Sequence, residues 1–225
     1  MKILVLNGSP RNKSDTMHIT NAFLEGMNVE NDCDITIVNV IKKNIKPCLG
    51  CFQCINNGNN QCIQLDDQNK ILDQMRESDI IIWSFPLYLF GMPSHIKAVL
   101  DRTLPFGKKA MKIENERVVH LTNTNTRKKK YVMISGAGFP YFEDNFKAIK
   151  QQFYNTYDDL TTICISESPM FNSKSAVSLV KPLLEKIKLA GTEYKETGKL
   201  SKETSISIET PMIPREAYIN ICNSV

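Results

Sequence analysis

The chain has 225 residues, of which 42% are hydrophobic and 23% charged, with a net charge of +4. This size predicts one large α/β domain with elaborations, and the composition is that of an ordinary soluble globular protein. The N-terminal apolar run at residues 3–6 is too short for a signal-peptide core, and no apolar window reaches the roughly 18 residues of a membrane span. We therefore expect a cytoplasmic protein with no membrane partner.

Strand-like and helix-like segments alternate along the chain. Residues 2–7 predict a buried strand, 16–28 a helix and 34–40 a second strand with a period of two. A cysteine-rich loop at 46–65 follows, then a helix at 66–78, a third strand at 79–83 and a helix from Ser94. After an insertion at 104–130, the sequence predicts a strand at 131–134, a helix at 143–157, a fifth strand at 160–165 and a helix at 175–196. The tail holds a strand-like segment at 205–208. Five strands alternating with helices predict an open parallel sheet covered on both faces.

The loop after the first strand has the chemistry of an anion site. It reads Asn7-Gly8-Ser9-Pro10-Arg11, and Ser14-Asp15-Thr16 then leads into a helix. Hydroxyl groups, unpaired amides and the positive end of the helix dipole would converge on one point, which suits a phosphate. The loop lacks both the Gly-Lys-Ser/Thr ending of a P-loop and the G-x-G-x-x-G of dinucleotide sites. Taken alone, it could also be a simple turn followed by a helix N-cap.

Two further loops should lie at the same edge of the sheet, because ligands of open α/β sheets bind outside the carboxyl ends of the strands. Residues 83–94 follow the third strand and read W-S-F-P-L-Y-L-F-G-M-P-S. Residues 135–141 follow the fourth and read S-G-A-G-F-P-Y. The first offers amide donors and aromatic surface from a loop stiffened by proline, and the glycines of the second permit close backbone approach.

Together the three loops resemble those of the flavodoxin-like NAD(P)H-dependent FMN reductases and quinone reductases. The likeness lies in Gly8-Ser9-Pro10-Arg11, in Pro86-Leu87-Tyr88 followed by a helix of the A-x-x-K-x-x-x-D-R type, and in the Gly-rich third loop. The resemblance implies a flavodoxin-like fold with a five-stranded parallel sheet in the order 2-1-3-4-5. It implies FMN as cofactor and NAD(P)H as co-substrate. The cofactor-binding residues that it implies are Ser9, Arg11, Ser14, Asp15, Thr16, Pro86, Leu87, Tyr88, Leu89, Phe90, Gly91, Ser135, Gly136 and Gly138.

The function implied by this resemblance is hydride transfer from NAD(P)H through the flavin to a quinone, a flavin or a similar small acceptor. No catalytic side chain is predicted, because the flavin carries the chemistry. The alternative is a non-enzymatic electron carrier between protein partners, which the basic net charge disfavours. We expect residues 1–198 to form the FMN-binding domain. The insertion and the tail at 199–225 are expected to make a homodimer contact or a lid.

Four of the seven cysteines are closely spaced, as Cys48-x2-Cys51-x2-Cys54-x7-Cys62. In a reducing compartment such spacing suits a metal centre. The pattern resembles the compact motif of the iron-sulfur flavoproteins, which implies a 4Fe-4S cluster on these four residues. A structural zinc ion, or free or redox-paired thiols, stay open as alternatives. Cys33, Cys164 and Cys222 are isolated and are interpreted as small hydrophobic residues.

The remaining charged features predict no nucleic-acid partner. The run Arg127-Lys128-Lys129-Lys130 immediately precedes a predicted strand and is interpreted as a solvated flank. His18, His95 and His120 are not clustered and are predicted to lie at the surface or behind the site.

Overall fold

A parallel sheet of five strands forms the centre of the molecule. The computed structural model describes residues 1–11, 13–56, 60–114, 116–122 and 129–224. The sheet strands are β1 (Lys2–Asn7), β2 (Asp34–Asn39), β3 (Ile80–Pro86), β6 (Lys130–Gly136) and β7 (Leu160–Ile165), paired in the order β2-β1-β3-β6-β7. This pairing confirms the predicted flavodoxin-like sheet. The predicted numbering 2-1-3-4-5 is wrong, because two additional strands precede the fourth strand of the sheet.

Helices cover both faces of the sheet. They are α1 (Asp15–Met27), α2 (Gln53–Asn56), α3 (Gln68–Glu77), α4 (Ser94–Asp101), α5 (Lys147–Thr156), α6 (Val177–Thr197), α7 (Lys202–Glu209) and α8 (Arg215–Asn223). Successive strand side chains point to opposite faces, so Leu4 and Trp83 pack with α3, α4 and α5, whereas Val5 and Ile82 pack with α1 and α6. The strands are apolar throughout because both faces are buried. Among the described residues, no helix has the length and apolar character needed to cross a bilayer.

The additional strands form an antiparallel hairpin within the predicted insertion. They are β4 (Gly107–Glu114) and β5 (Arg117–Thr122), with Met111 opposite His120 and Ile113 opposite Val118. Most of β4 is exposed, so neither face imposes an apolar alternation on the sequence. The sequence pattern therefore does not predict the hairpin.

The tail is helical, and the predicted strand at 205–208 is wrong. Ser201 caps α7 by accepting a hydrogen bond from the Thr204 amide. Ile206 and Ile208 differ by about 200° around a helix, so only one of them can face the core. Ile208 is buried there and Ile206 is exposed. Because Tyr218 of α8 enters the same core cluster, the tail packs on its own domain.

The basic run before β6 is not wholly a solvated flank. Lys129 is buried, and its ammonium donates hydrogen bonds to the carbonyl oxygens of Arg76 (2.8 Å) and Ser78 (2.7 Å). A cation stabilises a helix C-terminus in this way. The prediction is therefore wrong at Lys129, while residues 127 and 128 lie outside the described part of the chain.

Candidate functional site

Three buried hydroxyl-bearing residues lie in the loop after β1 and at the start of α1: Ser9, Ser14 and Thr16. The Ser14 hydroxyl caps the helix by accepting from the Met17 amide at 3.1 Å. Among the described residues, no acceptor contacts the amides of Asp15 and Thr16. First-turn amides with no partner are the donors that bind anions at helix N-termini. This geometry fits a phosphate.

Asp15 is nearly buried, with 3% of its surface exposed, and both of its carboxylate oxygens have protein partners. Arg11 donates to one oxygen and the side-chain amide of Asn172 donates to the other. Asn172 in turn accepts from His18 Nε2 at 3.2 Å. The Asp15 charge is thus compensated inside the protein, which limits its repulsion of a bound anion. Contact of Arg11 or Asp15 with a ligand stays a prediction.

Gly8 lies where the loop passes against α4. Its amide donates to Ser84 O at 2.7 Å, and its carbonyl accepts from His95 Nε2 at 2.8 Å. A Cβ at this position would lie 2.2 Å from Cγ1 of Ile96, so only glycine fits. His95, which the sequence placed at the surface or behind the site, therefore fixes the backbone of the phosphate loop from behind.

The loop after β3 ends in a tight turn. Tyr88 and Gly91 exchange two backbone hydrogen bonds, of 2.9 and 3.0 Å. Leu89 and Phe90 between them have φ values of 47° and 61°, in the left-handed region that non-glycine residues seldom adopt. The Tyr88 and Gly91 amides are satisfied within the turn, whereas no acceptor among the described residues contacts the amides of Leu89 and Phe90. Backbone strain of this kind is common at ligand sites.

The three predicted loops meet at one edge of the sheet. The Leu87 amide donates to Gly136 O at 2.8 Å, which joins the loops after β3 and β6. A Cβ on Gly136 would lie 2.9 Å from Cβ of Ser168 and 3.4 Å from Oγ1 of Thr16, so the loop after β6 also closes on α1. Beside it, the buried Ser135 hydroxyl has no hydrogen-bond partner among the described residues. The structure thus brings Leu87, Gly136 and Thr16, one from each predicted loop, together at this edge, while cofactor binding by the predicted residues stays a prediction.

An open aromatic cleft of about 790 Å³ adjoins this edge. The rings of Phe90 and Phe139 lie nearly parallel, 5.9 Å apart, so the loops after β3 and β6 also meet through their side chains. The Arg215 guanidinium lies 5.6 Å from the centre of the Phe142 ring, and Lys147 lines the same cleft. The cleft therefore combines flat apolar surfaces with positive charge.

Contacts from the tail hold the segments after β6 and β7 in place, and no sequence pattern predicts them. The Tyr218 hydroxyl donates to Gly138 O at 2.9 Å, across 80 residues. Buried Glu167 accepts from the Met212 amide at 2.8 Å, across 45 residues. Burial raises the pKa of Glu167, although hydrogen bonds from the backbone oppose the shift. No local pattern reveals such pairs, because the partners are adjacent only in the folded chain.

The cysteine loop, residues 46–65, is anchored at both ends. The Lys46 amide donates to Asp66 at 2.9 Å. At the other end, Cys62 and Asn69 exchange two hydrogen bonds, of 2.8 and 2.9 Å. Residues 57–59 lie outside the described part of the chain. The loop is therefore attached firmly to α3 on one side of the sheet.

All four clustered cysteines line one small concavity of about 20 Å³: Cys48, Cys51, Cys54 and Cys62. Burial raises the pKa of the Cys54 thiol, and the charges of the other three cysteines add to the rise. Within the described residues, no three histidine, cysteine or acidic side chains are arranged as a ready metal site. The number and type of donors nevertheless fit a cluster held by four thiolates. A metal on these residues stays a prediction.

The fold and the site together define a class of protein. The loops after β1 and β3 flank the point where the strand order reverses, and the loop after β6 closes on them. This is the ligand-binding crevice of a doubly wound α/β protein. A family model described as the flavodoxin-like fold matches residues 1–188. The chain belongs to this flavodoxin-like family.

Individual relatives agree with this assignment. An iron-sulfur flavoprotein of Methanocaldococcus jannaschii is 31% identical over 105 residues, covering 47% of this chain and 53% of the relative. One from Archaeoglobus fulgidus is 24% identical over 181 residues, 80% of this chain and 81% of the relative. The chain thus spans about half the length of the first relative.

Solved structures show the same fold at low sequence identity. An NAD(P)H:quinone oxidoreductase from Methanothermobacter marburgensis superposes with a TM-score of 0.63 at 15% identity, over 87% of this chain and 97% of that one. An azoreductase from Bacillus anthracis gives a TM-score of 0.61 at 17% identity, over 86% and 99%.

Proposed function

We propose that this protein is a cytoplasmic FMN-dependent oxidoreductase that uses NAD(P)H to reduce a small planar acceptor such as a quinone or a flavin. The observation that carries the proposal is the junction of the three loops, in their described residues 8–11, 13–16, 86–91 and 135–141. It combines buried hydroxyls and first-turn amides with a strained aromatic turn and a glycine-lined wall. When bound, FMN supplies the hydride-accepting ring, which no side chain can provide.

The chain's own residues bind and orient the cofactor in this proposal. Ser9, Thr16 and the N-terminus of α1 hold the phosphate, where the helix dipole favours negative charge. The amides of Leu89 and Phe90 are available to donate to the acceptor-rich edge of the ring system. The Gly136 backbone borders it from the side of β6. The names of the relatives support this assignment, since they include flavoproteins and NAD(P)H-dependent quinone reductases.

The aromatic cleft is our proposed entry for the acceptor. Phe90 and Phe139 belong to the loops assigned to the flavin and also line the cleft, so a planar molecule stacked there would lie beside the ring. Positive charge from Arg215 and Lys147 favours acceptors that carry an acidic group, although Asp144 offsets Lys147 by an ion pair of 3.2 Å. A quinone fits the flat apolar surfaces, and a flavin that carries a phosphate also fits the positive charge.

Anaerobic mixing tests the proposed reaction directly. We expect NADH or NADPH alone to bleach the visible flavin absorbance of the FMN-loaded protein, and a quinone added afterwards to restore it. Stopped-flow spectrophotometry measures the rates of flavin reduction and of its reoxidation, and free FMN at the same concentration is the control. Flavin that is reduced only when a partner reductase is added would contradict the enzyme and favour an electron carrier.

The electron carrier is the second candidate, and the cysteine loop is the observation that favours it. A cluster on Cys48, Cys51, Cys54 and Cys62 would exchange electrons one at a time, whereas NAD(P)H delivers two. The two functions differ in their partners, since a carrier exchanges electrons with proteins and is slow with nicotinamide and quinone. The mixing experiment therefore separates them.

The β4–β5 hairpin supports the proposed homodimer. Met111, Ile113 and Val118 lie on one face of the ribbon and are exposed, Ile113 by 78%. A two-stranded ribbon is marginally stable unless another surface covers it. The tail packs on its own core, so the hairpin is the better candidate for contact with a second copy.

Replacing Ile113 and Val118 together with aspartate is expected to convert the dimer into a monomer, because four charges would be buried across a symmetric interface. Light scattering at micromolar concentration measures the mass. Leu189→Asp on α6 is the matched control, since Leu189 is 69% exposed and distant in sequence from the hairpin. A wild-type protein of monomeric mass, with FMN bound, would remove the dimer from the proposal.

A further inference from the structure

Arg102 is buried behind the cysteine loop, immediately after α4. Its side chain and that of Asp66 are both 0% exposed. Nη1 donates to Asp66 Oδ2 at 2.5 Å and to Lys46 O at 3.0 Å, while Nη2 donates to Asp66 Oδ1 at 2.9 Å. Asp66 also accepts from the amides of Lys46 and Gln68. This pair ties α4 to both ends of the cysteine loop.

These bonds leave one nitrogen of the Arg102 guanidinium, Nε, without any partner in the described part of the chain. Nε is buried and has no hydrogen-bond partner among the described residues. Arginine cannot lose this proton at any physiological pH, and folded proteins satisfy nearly all of their buried donors. A buried N–H of this kind therefore indicates an acceptor that binds beside it.

The acceptor within reach is sulfur. Arg102 lines the same concavity as the four clustered cysteines. The Cys62 sulfur is near enough to the guanidinium to interact with it electrostatically. A cluster held by four thiolates is anionic, and hydrogen bonds to its sulfurs raise its reduction potential.

We propose that Arg102 is a positioning residue for a metal–sulfur cluster, and that its Nε–H donates a hydrogen bond to the cluster sulfur on the Cys62 side. Because the bond stabilises the more negative, reduced form of the cluster, it makes reduction easier. This inference rests on the cluster named in the proposed function.

Two variants separate the donor from the ion pair. Arg102→Lys keeps the positive charge but removes the Nε–H, while Asp66→Asn breaks the ion pair and leaves the Nε–H. Both proteins are prepared without oxygen and compared with the wild type. Iron and sulfide content, thermal midpoint and the reduction potential by spectroelectrochemistry are measured, the potential on the molecules that retain the cluster.

We expect Arg102→Lys to make one-electron reduction about tenfold less favourable, a potential about 59 mV more negative. Asp66→Asn should move the potential in the opposite direction, because a negative charge near the cluster is removed. Both variants should lower the thermal midpoint. The proposal is also supported if Arg102→Lys loses the cluster and Asp66→Asn keeps it while the two variants have equal thermal midpoints.

A purely structural arginine predicts a different result. The role of Nε–H would be overturned if the reduction potentials of both variants stayed unchanged or moved in the same direction. It would also be overturned if both variants lost the cluster equally. Wild-type protein without iron and sulfide would instead remove the cluster itself. The wild-type assay therefore distinguishes failure of the cluster from failure of this inference.

Discussion

Replacing Ser9 and Thr16 together with alanine is expected to weaken FMN binding about 30- to 150-fold, or about 2–3 kcal/mol. Each hydroxyl would lose one charge-assisted hydrogen bond to the phosphate, at the lower end of the usual range. The Thr16 hydroxyl lies close to Gly136, at the point where the loop after β1 meets the loop after β6. Fluorescence titration of metal-free, FMN-free protein measures the affinity.

Two matched variants accompany this experiment. Thr156→Ala with Thr197→Ala removes two hydroxyls whose hydrogen bonds are to exposed backbone groups outside the three loops, so FMN affinity should stay at the wild-type value. Riboflavin, which lacks the phosphate, should bind the wild type and the Ser9/Thr16 variant equally. An unchanged FMN affinity in that variant would refute the phosphate site.

Cys51→Ser is expected to abolish bound iron and sulfide, which should be about four of each per chain in the anaerobically prepared wild type. Removing one of four ligands opens a corner of the cluster, and Cys51 is exposed, so solvent can attack there. FMN binding should be unaffected because Cys51 is not one of the residues assigned to the cofactor. Iron and sulfide assays and the visible spectrum measure the outcome.

Cys222→Ser is the control for this variant, since Cys222 is also exposed but outside the cysteine loop. It should retain iron and sulfide in full. Zinc in place of iron in the wild type would make the loop a structural metal site. Wild-type protein with neither metal would leave a loop of thiols next to a flavin site, and the reductase proposal would survive that result.

The architecture could be predicted because its signals are local. Buried parallel strands read as apolar runs, such as residues 80–83, and the helices between them carry a 3.6-residue period. The segments whose structure was predicted wrongly lack this local signal. Most positions of strand β4 in the hairpin are exposed. Residues 205–208 alternate as a strand would, but they form a helix because Ser201 caps α7 and Ile208 is buried in the core.

The sequence by itself determined the sheet, its strand pairing and the loops that form the candidate site, because residue type and spacing act on each segment separately. Tertiary structure alone decided the partners of those residues, Asn172 for Asp15 and His95 for Gly8. It also buried Arg102 with an Nε that has no partner among the described residues. Hydrogen bonds and burial depend on distance in space. Residues separated by 36 positions, as Asp66 and Arg102 are, become neighbours only once the chain has folded.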